Sequence, residues 1–251
     1  MNSISDTDNY KSICINAAEN DEIFKNFKSN YHYNGILEHV NKEQGQLYLN
    51  YIEKNFPNFV DYLDKFKKND LYGGSKLSNY NIGYISPSTL RYIKVFSDLN
   101  KLFGDLSEKK IIEIGVGYGG QCLIINQIFS PKEYALLDLN EALMLSEKYL
   151  KINEVSHKII KIEELENLEE EYDLVISNYA YSELDKSLQD LYYEKIIKNS
   201  KNGYFTLNFI SDIFKIESYN KEDLLKKFSD KNFKLLEENP NTYEDNIILY
   251  F

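Results

Sequence analysis

The spacing of apolar residues changes near Glu108. Upstream of it they recur at intervals of three and four over Ile36 to Phe56 and Phe59 to Lys68, and again at Leu90, Ile93, Phe96, Leu99 and Phe103, the signature of one helical face. The last of these helices is bracketed by Ser86 as an N-cap, Pro87 at the first helical position and Gly104 just past its end. Residues 69–83 are polar and rich in Gly and Asn, and read as a loop or lid. Downstream, short apolar runs alternate with amphipathic stretches, which predicts β-α repeats around a mostly parallel sheet. The strands expected are Lys110–Ile114, Glu133–Leu137, Lys158–Ile162, Asp173–Ser177, Gly203–Phe209, Phe233–Glu237 and Asn246–Tyr250. Helices are expected over Gly120–Phe129, Glu141–Asn153, Leu184–Asn199 and Lys221–Asp230. Residues 238–245 include Pro240 and are too few for a right-handed crossover, so the last two strands should pair as an antiparallel hairpin. The expected architecture is an α/β fold in which a helical N-terminal cap (1–105) precedes a Rossmann-like seven-stranded sheet with an antiparallel last strand (106–251).

Composition narrows the function classes. Of 251 residues, 43% are apolar and 27% charged, as in soluble globular chains. A net charge of −11 opposes what a phosphate-neutralising surface needs, so neither nucleic acid nor an anionic membrane is expected as a partner. No run approaches the roughly 18 apolar residues of a membrane span, and residues 1–10 lack an apolar leader core, so a cytoplasmic location without membrane insertion is expected. Cys14 and Cys122 stand far apart, which suggests neither a disulfide framework nor a metal site. Arg91 is the only arginine among 29 basic residues. A guanidinium retained in so lysine-rich a chain suits a task that an ammonium performs poorly, such as bidentate anion binding.

The chemistry concentrates in Glu113-Ile114-Gly115-Val116-Gly117-Tyr118-Gly119-Gly120-Gln121, at a strand end and opening a helix. Glycines there permit positive φ and close approach of a ligand to the backbone. Read as Gly115-x-Gly117-x-x-Gly120 the loop suits a dinucleotide; read as Gly115-x-Gly117-x-Gly119 it suits S-adenosylmethionine. Asp138, ending the second strand of the sheet, serves a ribose diol in either case. Glu113 two residues before the first glycine, the closing hairpin, and the short remainder of the chain favour S-adenosylmethionine over an NAD-dependent oxidoreductase. Glu183 is a candidate general base, although Ser182-Glu183-Leu184-Asp185 also reads as a helix cap with Ser182 at the N-cap. His39 could reach a cleft as a second base, whereas His157 lies at the far sheet edge. Tyr31, Tyr33, Tyr48 and Tyr51 could stack on sugar rings or fill the core.

Four segments carry a resemblance: Ile85-Ser86-Pro87-Ser88-Thr89-Leu90-Arg91-Tyr92, Ile112–Cys122 through the glycine loop, Leu136-Leu137-Asp138-Leu139 and Ser177-Asn178-Tyr179-Ala180-Tyr181-Ser182-Glu183-Leu184. Over 71–209 the chain resembles bacterial sugar O-methyltransferases, class I enzymes that use S-adenosylmethionine and accompany capsule and surface-polysaccharide genes. It departs from them at Val116, where they carry Gly, and at Gly73-Gly74-Ser75, where they carry Gly-Asn-Pro. The resemblance implies that Gly115, Gly117 and Gly119, with Glu113, Tyr118 and Gln121 beside them, hold the methionine part of the cofactor. It also implies that Asp138 holds the ribose, Leu139 packs on the adenine, and Glu163 meets the adenine amino group, although the acidic run Glu163–Glu171 reads equally as a solvated surface. Asn178 and Tyr179 would end a strand at the reaction centre, and Arg91, Tyr92, Tyr181 and Asn208 would face a small-molecule or nucleotide-linked sugar of a capsule or lipopolysaccharide precursor. Other readings are methylation of a phosphate or phosphoramidate oxygen, which needs Arg91 and no base, and a catalytically inactive binding module.

Overall fold

The computed structural model describes residues 3–251. The longer elements, in chain order, begin with helices α1 (Asp8–Glu19) and α2 (Lys42–Asn55), a hairpin of β1 (Ser78–Tyr80) and β2 (Gly83–Ile85), and α3 (Pro87–Phe103). The β-α units follow as β3 (Lys110–Ile114), α4 (Gly120–Asn126), β4 (Glu133–Leu137), α5 (Asn140–Ile152), β5 (Lys158–Ile160) and β6 (Leu174–Asn178). The chain closes with α6 (Lys186–Tyr192), β7 (Gly203–Leu207), α7 (Lys221–Lys227), β8 (Lys234–Glu237) and β9 (Ile247–Tyr250).

Strands β3 to β9 form one seven-stranded sheet in the order β5-β4-β3-β6-β7-β9-β8. The pairs β3–β4, β3–β6, β4–β5 and β6–β7 are parallel. Strand β9 runs antiparallel to both β7 and β8, as the short Pro240 connection requires. This is the class I methyltransferase sheet, a Rossmann-like fold with an inverted last strand. Alternate residues of each strand serve two cores. Ile111, Leu136, Ile176 and Tyr204 face α3, α4, α5 and the cap, while Ile112, Leu137, Val175 and Phe205 face α6 and α7. The first core is continuous with Tyr10, Phe27, Tyr48 and Phe66 of the cap.

The N-terminal region differs from expectation in four places, one being the helix expected over Phe59–Lys68, which is a 3-10 stretch at Pro57–Tyr62, one α-helical turn at Leu63–Phe66 and a 3-10 turn at Lys67–Asp70. Thr7 caps an unanticipated helix, α1, whose buried face is only Tyr10, Cys14 and Ala17, one position per turn and too few to show as an apolar stripe. The run from Ile36 to Phe56 is broken at His39–Asn41, because Asn41 starts α2 with a capping box in which Gln44 N–H donates to Asn41 Oδ1 at 2.9 Å and Asn41 N–H donates to Gln44 Oε1 at 3.0 Å. Residues 69–83 form no lid. They run into β1 and β2, and Gly73 and Gly74, both at positive φ, pack against Phe27, Lys28 and Asn26 of the cap.

Candidate active site

The carboxyl ends of β3, β4, β6 and β7 open into a cavity of about 1010 Å³, roofed by the cap and by residues 3–10. A crevice outside the strand ends, where the strand order reverses, is the usual ligand position in open α/β sheets. Its volume reaches the upper end of the usual range for small-molecule sites, roughly 300–1,000 Å³.

The glycine loop forms one wall. Gly115 has φ 79° and Gly117 φ 55°, and a Cβ on Gly115 would lie 2.0 Å from the Cβ of Ala180, so the loop and the segment after β6 meet only because no side chain intervenes. Asp138 ends β4 and accepts hydrogen bonds from Gly117 N–H at 2.8 Å and Leu139 N–H at 2.7 Å. Burial outweighs these bonds and raises its pKa to about 6. Glu113 accepts from the Tyr134 hydroxyl at 2.8 Å and is pushed by burial to about 8. Leu139 and Ile162 add apolar surface beside Asp138.

The opposite wall comes from the ends of β6 and β7. Asn178, the last residue of β6, has both side-chain amide atoms buried without a hydrogen-bond partner. Tyr179 follows with φ 67°, a sparsely populated conformation for a bulky residue. Its hydroxyl donates to Glu238, which also accepts from Thr242 N–H, Thr242 Oγ1 and Asn246 Nδ2. Glu183 is held by Asn208, whose Nδ2 donates to Oε1 at 2.5 Å, and burial raises its pKa to about 7. The capping alternative for this segment fails. Helix α6 begins at Lys186 with Asp185 as N-cap, its carboxylate accepting from Leu188 N–H at 2.9 Å, while the Ser182 hydroxyl donates to Tyr179 O at 2.8 Å and receives Asn208 N–H at 3.1 Å.

The cap supplies the roof. His39 borders the cavity, and desolvation with the nearby Arg91 guanidinium pushes its pKa down to about 4, so its imidazole is neutral at physiological pH. The Arg91 guanidinium donates to Leu37 O at 2.8 Å and lies 5.6 Å from the Tyr92 ring centre. Tyr92 and Tyr48 line the same wall.

Of the residues singled out from the sequence, Glu183, His39, Glu113, Gly115, Gly117, Asp138 and Leu139 therefore border one cavity, as do Asn178, Tyr179, Arg91, Tyr92 and Asn208. Five others do not border it. Tyr118 points from the glycine loop into the cap junction, edge-on to Tyr92 and Tyr149, and its hydroxyl accepts from Asn69. Gly119 leads into α4 against Leu150, and buried Gln121 donates to Tyr92 O. Glu163 is exposed and accepts from Asn140. Tyr181 is fully buried between Phe205 and Phe228 and donates to Gln189 O. Sequence reasoning missed Glu238, whose only signal was its place before Pro240 in the closing hairpin, and residues 3–10, which border the cavity after Ser3 pairs with Leu184. Of the four cap tyrosines, Tyr31 and Tyr48 border it, while Tyr33 is core and Tyr51 binds Asp98.

Among the described residues, no cluster of three potential metal ligands occurs, and no helix is long and apolar enough to cross a membrane. The cavity is bordered by four carboxylates, Glu113, Asp138, Glu183 and Glu238, and by two basic side chains besides histidine, Arg91 and Lys94. Lys94 is already paired with Asp98 at 2.8 Å. At the glycine loop the Gly117 N–H that would cradle a phosphate is turned onto Asp138, so that wall suits a ligand with hydroxyls better than a pyrophosphate, while Arg91 lies on the cap side.

Residues 96–204 match the family model of the methyltransferase small domain. No curated protein matches the chain significantly. Solved structures are similar to it at low identity. A methyltransferase from Pyrococcus furiosus is 13% identical, with 64% of this chain and 81% of that one covered and a TM-score of 0.45. A ribosomal protein L11 methylase from Lactobacillus delbrueckii subsp. bulgaricus is 12% identical, with 64% and 77% covered and a TM-score of 0.45. An rRNA methylase from Streptococcus thermophilus is 13% identical, with 58% and 87% covered and a TM-score of 0.42.

Proposed function

We propose that the chain is an S-adenosylmethionine-dependent O-methyltransferase that acts on a hydroxyl of a sugar in a capsule or lipopolysaccharide precursor. The observation that carries this reading is Glu183, a carboxylate at the strand ends with a pKa of about 7, in the same cavity as the glycine loop and Asp138. When bound, S-adenosylmethionine supplies a methyl group activated on a sulfonium. Asp138 has lone pairs left for ribose hydroxyls after its two backbone bonds, Leu139 and Ile162 offer an apolar seat for the adenine, and Gly115 and Gly117 leave room for the methionine part.

A sugar hydroxyl is weakly acidic and gains from a base whose pKa lies near working pH. With Oε1 held by Asn208, Glu183 presents Oε2 to take that proton. Asn178 offers a free amide donor and acceptor to hydroxyls at the strand ends, and Tyr179, tied to Glu238, gives a fixed aromatic wall. The resemblance to sugar O-methyltransferases and the hydroxyls and amides of Thr206, Thr242 and Asn246 support a sugar as acceptor. Arg91 favours a second reading, transfer to an already anionic phosphate or phosphoramidate oxygen.

Calorimetric titration with S-adenosylmethionine and with NAD, followed by detection of S-adenosylhomocysteine in the presence of nucleotide-linked sugars, tests the proposal. Binding of S-adenosylmethionine without NAD, and product with a sugar acceptor, is the expected result. Binding of NAD alone would overturn it.

A further inference from the structure

The chain carries 40 acidic residues, yet among the described residues its one arginine has no carboxylate within 4.0 Å. Arg91 is half-buried and makes a single hydrogen bond, to the carbonyl of Leu37, leaving most of its five N–H donors without a protein partner. The other buried cations nearby are complete. Lys94 is paired with Asp98, and Lys28 donates to Asn69 O at 2.6 Å and Ser75 Oγ at 3.2 Å. Glu38 faces Arg91 electrostatically but makes no ion pair with it within 4.0 Å, and its buried Oε1 is unpartnered. The guanidinium borders the cavity beside Tyr92 and Tyr48.

We propose that Arg91 is an oxyanion-binding subsite of the cavity, gripping a carboxylate or phosphate through paired N–H groups. A planar guanidinium in a partly desolvated wall matches a two-oxygen anion, and Leu37 O fixes its orientation without consuming its charge. The anion comes from one of two sources, the cofactor's own carboxylate or the acceptor. This inference rests on the proposed cofactor and names the charge class of a group bound at the same site.

The test is the variant Arg91→Gln, with Arg91→Lys as a second variant that keeps the charge, each checked for a native melting transition. S-adenosylhomocysteine, 5′-methylthioadenosine, which lacks the amino-acid part, and inorganic pyrophosphate in the presence of S-adenosylhomocysteine are titrated calorimetrically. If the cofactor is the source, Arg91→Gln weakens S-adenosylhomocysteine roughly tenfold to a hundredfold and leaves 5′-methylthioadenosine unchanged. If the acceptor is the source, both nucleosides bind as in wild type and pyrophosphate binding is lost. In either case Arg91→Lys falls between Gln and wild type. Unchanged affinity for S-adenosylhomocysteine and pyrophosphate alike, or equal losses for S-adenosylhomocysteine and 5′-methylthioadenosine, overturns the inference. Failure of the wild type to bind S-adenosylhomocysteine overturns the cofactor reading instead, and pyrophosphate titrated alone then decides Arg91.

Discussion

Two regions between the cap and the sheet bury polar groups, and they treat them in opposite ways. At the junction, Lys28 lies 4.2 Å from the Tyr118 ring centre and 4.9 Å from that of Tyr149, with its ammonium on Asn69 O. Asn69 Nδ2 donates to Thr89 Oγ1 and the Tyr118 hydroxyl, and the Tyr149 hydroxyl returns to Asn69. Asp70 accepts from Ser86 N–H at 2.9 Å and Thr89 Oγ1 at 2.7 Å. At the cavity the Asn178 amide has no partner, Glu183 has one and Arg91 has one. A buried donor or acceptor left unpaired costs on the order of 1–3 kcal/mol. The junction thus completes its polar network within the chain, whereas the groups at the cavity keep free donors and acceptors, which the proposed function assigns to a bound molecule.

The sharpest way to break that contrast is Glu183→Gln. It should lower turnover by roughly a hundredfold to ten-thousandfold and leave cofactor affinity nearly unchanged, and wild-type turnover should rise with pH through about 7. A fully active Gln variant would remove Glu183 from the chemistry. On the junction side, Lys28→Ala should cost about 2–4 kcal/mol in urea unfolding, because it removes the bonds to Asn69 O and Ser75 Oγ and empties the space between two rings. A loss under about 0.5 kcal/mol would show that the junction network is not structural.

Asp138→Ala should weaken S-adenosylmethionine by about 1–3 kcal/mol in calorimetry; undiminished binding would refute the ribose assignment. Stability against pH sharpens the comparison further. The folded pKa values of Glu113, Glu183 and Asp138 are raised by burial to about 8, 7 and 6, so each contributes stability that is full below its ordinary value and lost as pH rises through its folded value. The ligand-free protein should therefore lose stability from about pH 5 to pH 8. Glu183→Gln should flatten that fall by about 1 kcal/mol or more. Acids lowered by ion pairs, such as Glu170 beside Lys158, act in the opposite sense below that window. The smallest effect concerns Asn178→Ala, expected to leave stability unchanged or slightly raised, since removing the unpaired amide offsets the lost packing, against a loss of about 1–3 kcal/mol for Asn69→Ala. Equal losses in the two variants would erase the distinction between the regions.

The sheet was legible because burial on both faces writes continuous apolar runs into its strands, and most predicted boundaries fall within two residues of the observed ones, as with β5 ending at Ile160. Gly115, Gly117, Asp138 and Glu183 were legible because their roles are local, at strand ends and tight turns. Reading by adjacency failed at Tyr118, Gln121 and Tyr181, since residues next to a motif residue point elsewhere and these three point into packed interiors. Glu238 could not be read from the sequence, because its significance lies in a contact with Tyr179 made 59 residues away. Residues 3–10 were opaque for the same reason: a polar segment becomes a cavity wall only after Ser3 meets Leu184.

The continuity of one apolar core from Tyr10 and Phe27 through Leu136 to Tyr204 bears on how such a protein could change its preferences over evolutionary time. A roof that could be exchanged as a module would need a seam where few side chains interlock, and here the segments that roof the cavity also complete the core. On the proposed function, single replacements at lining positions such as Tyr31, His32 or Tyr243 are the expected route to a new specificity, rather than transplanting residues 3–105 onto another sheet. A chimera carrying only the foreign cap would inherit mismatched layers before it inherited a new acceptor.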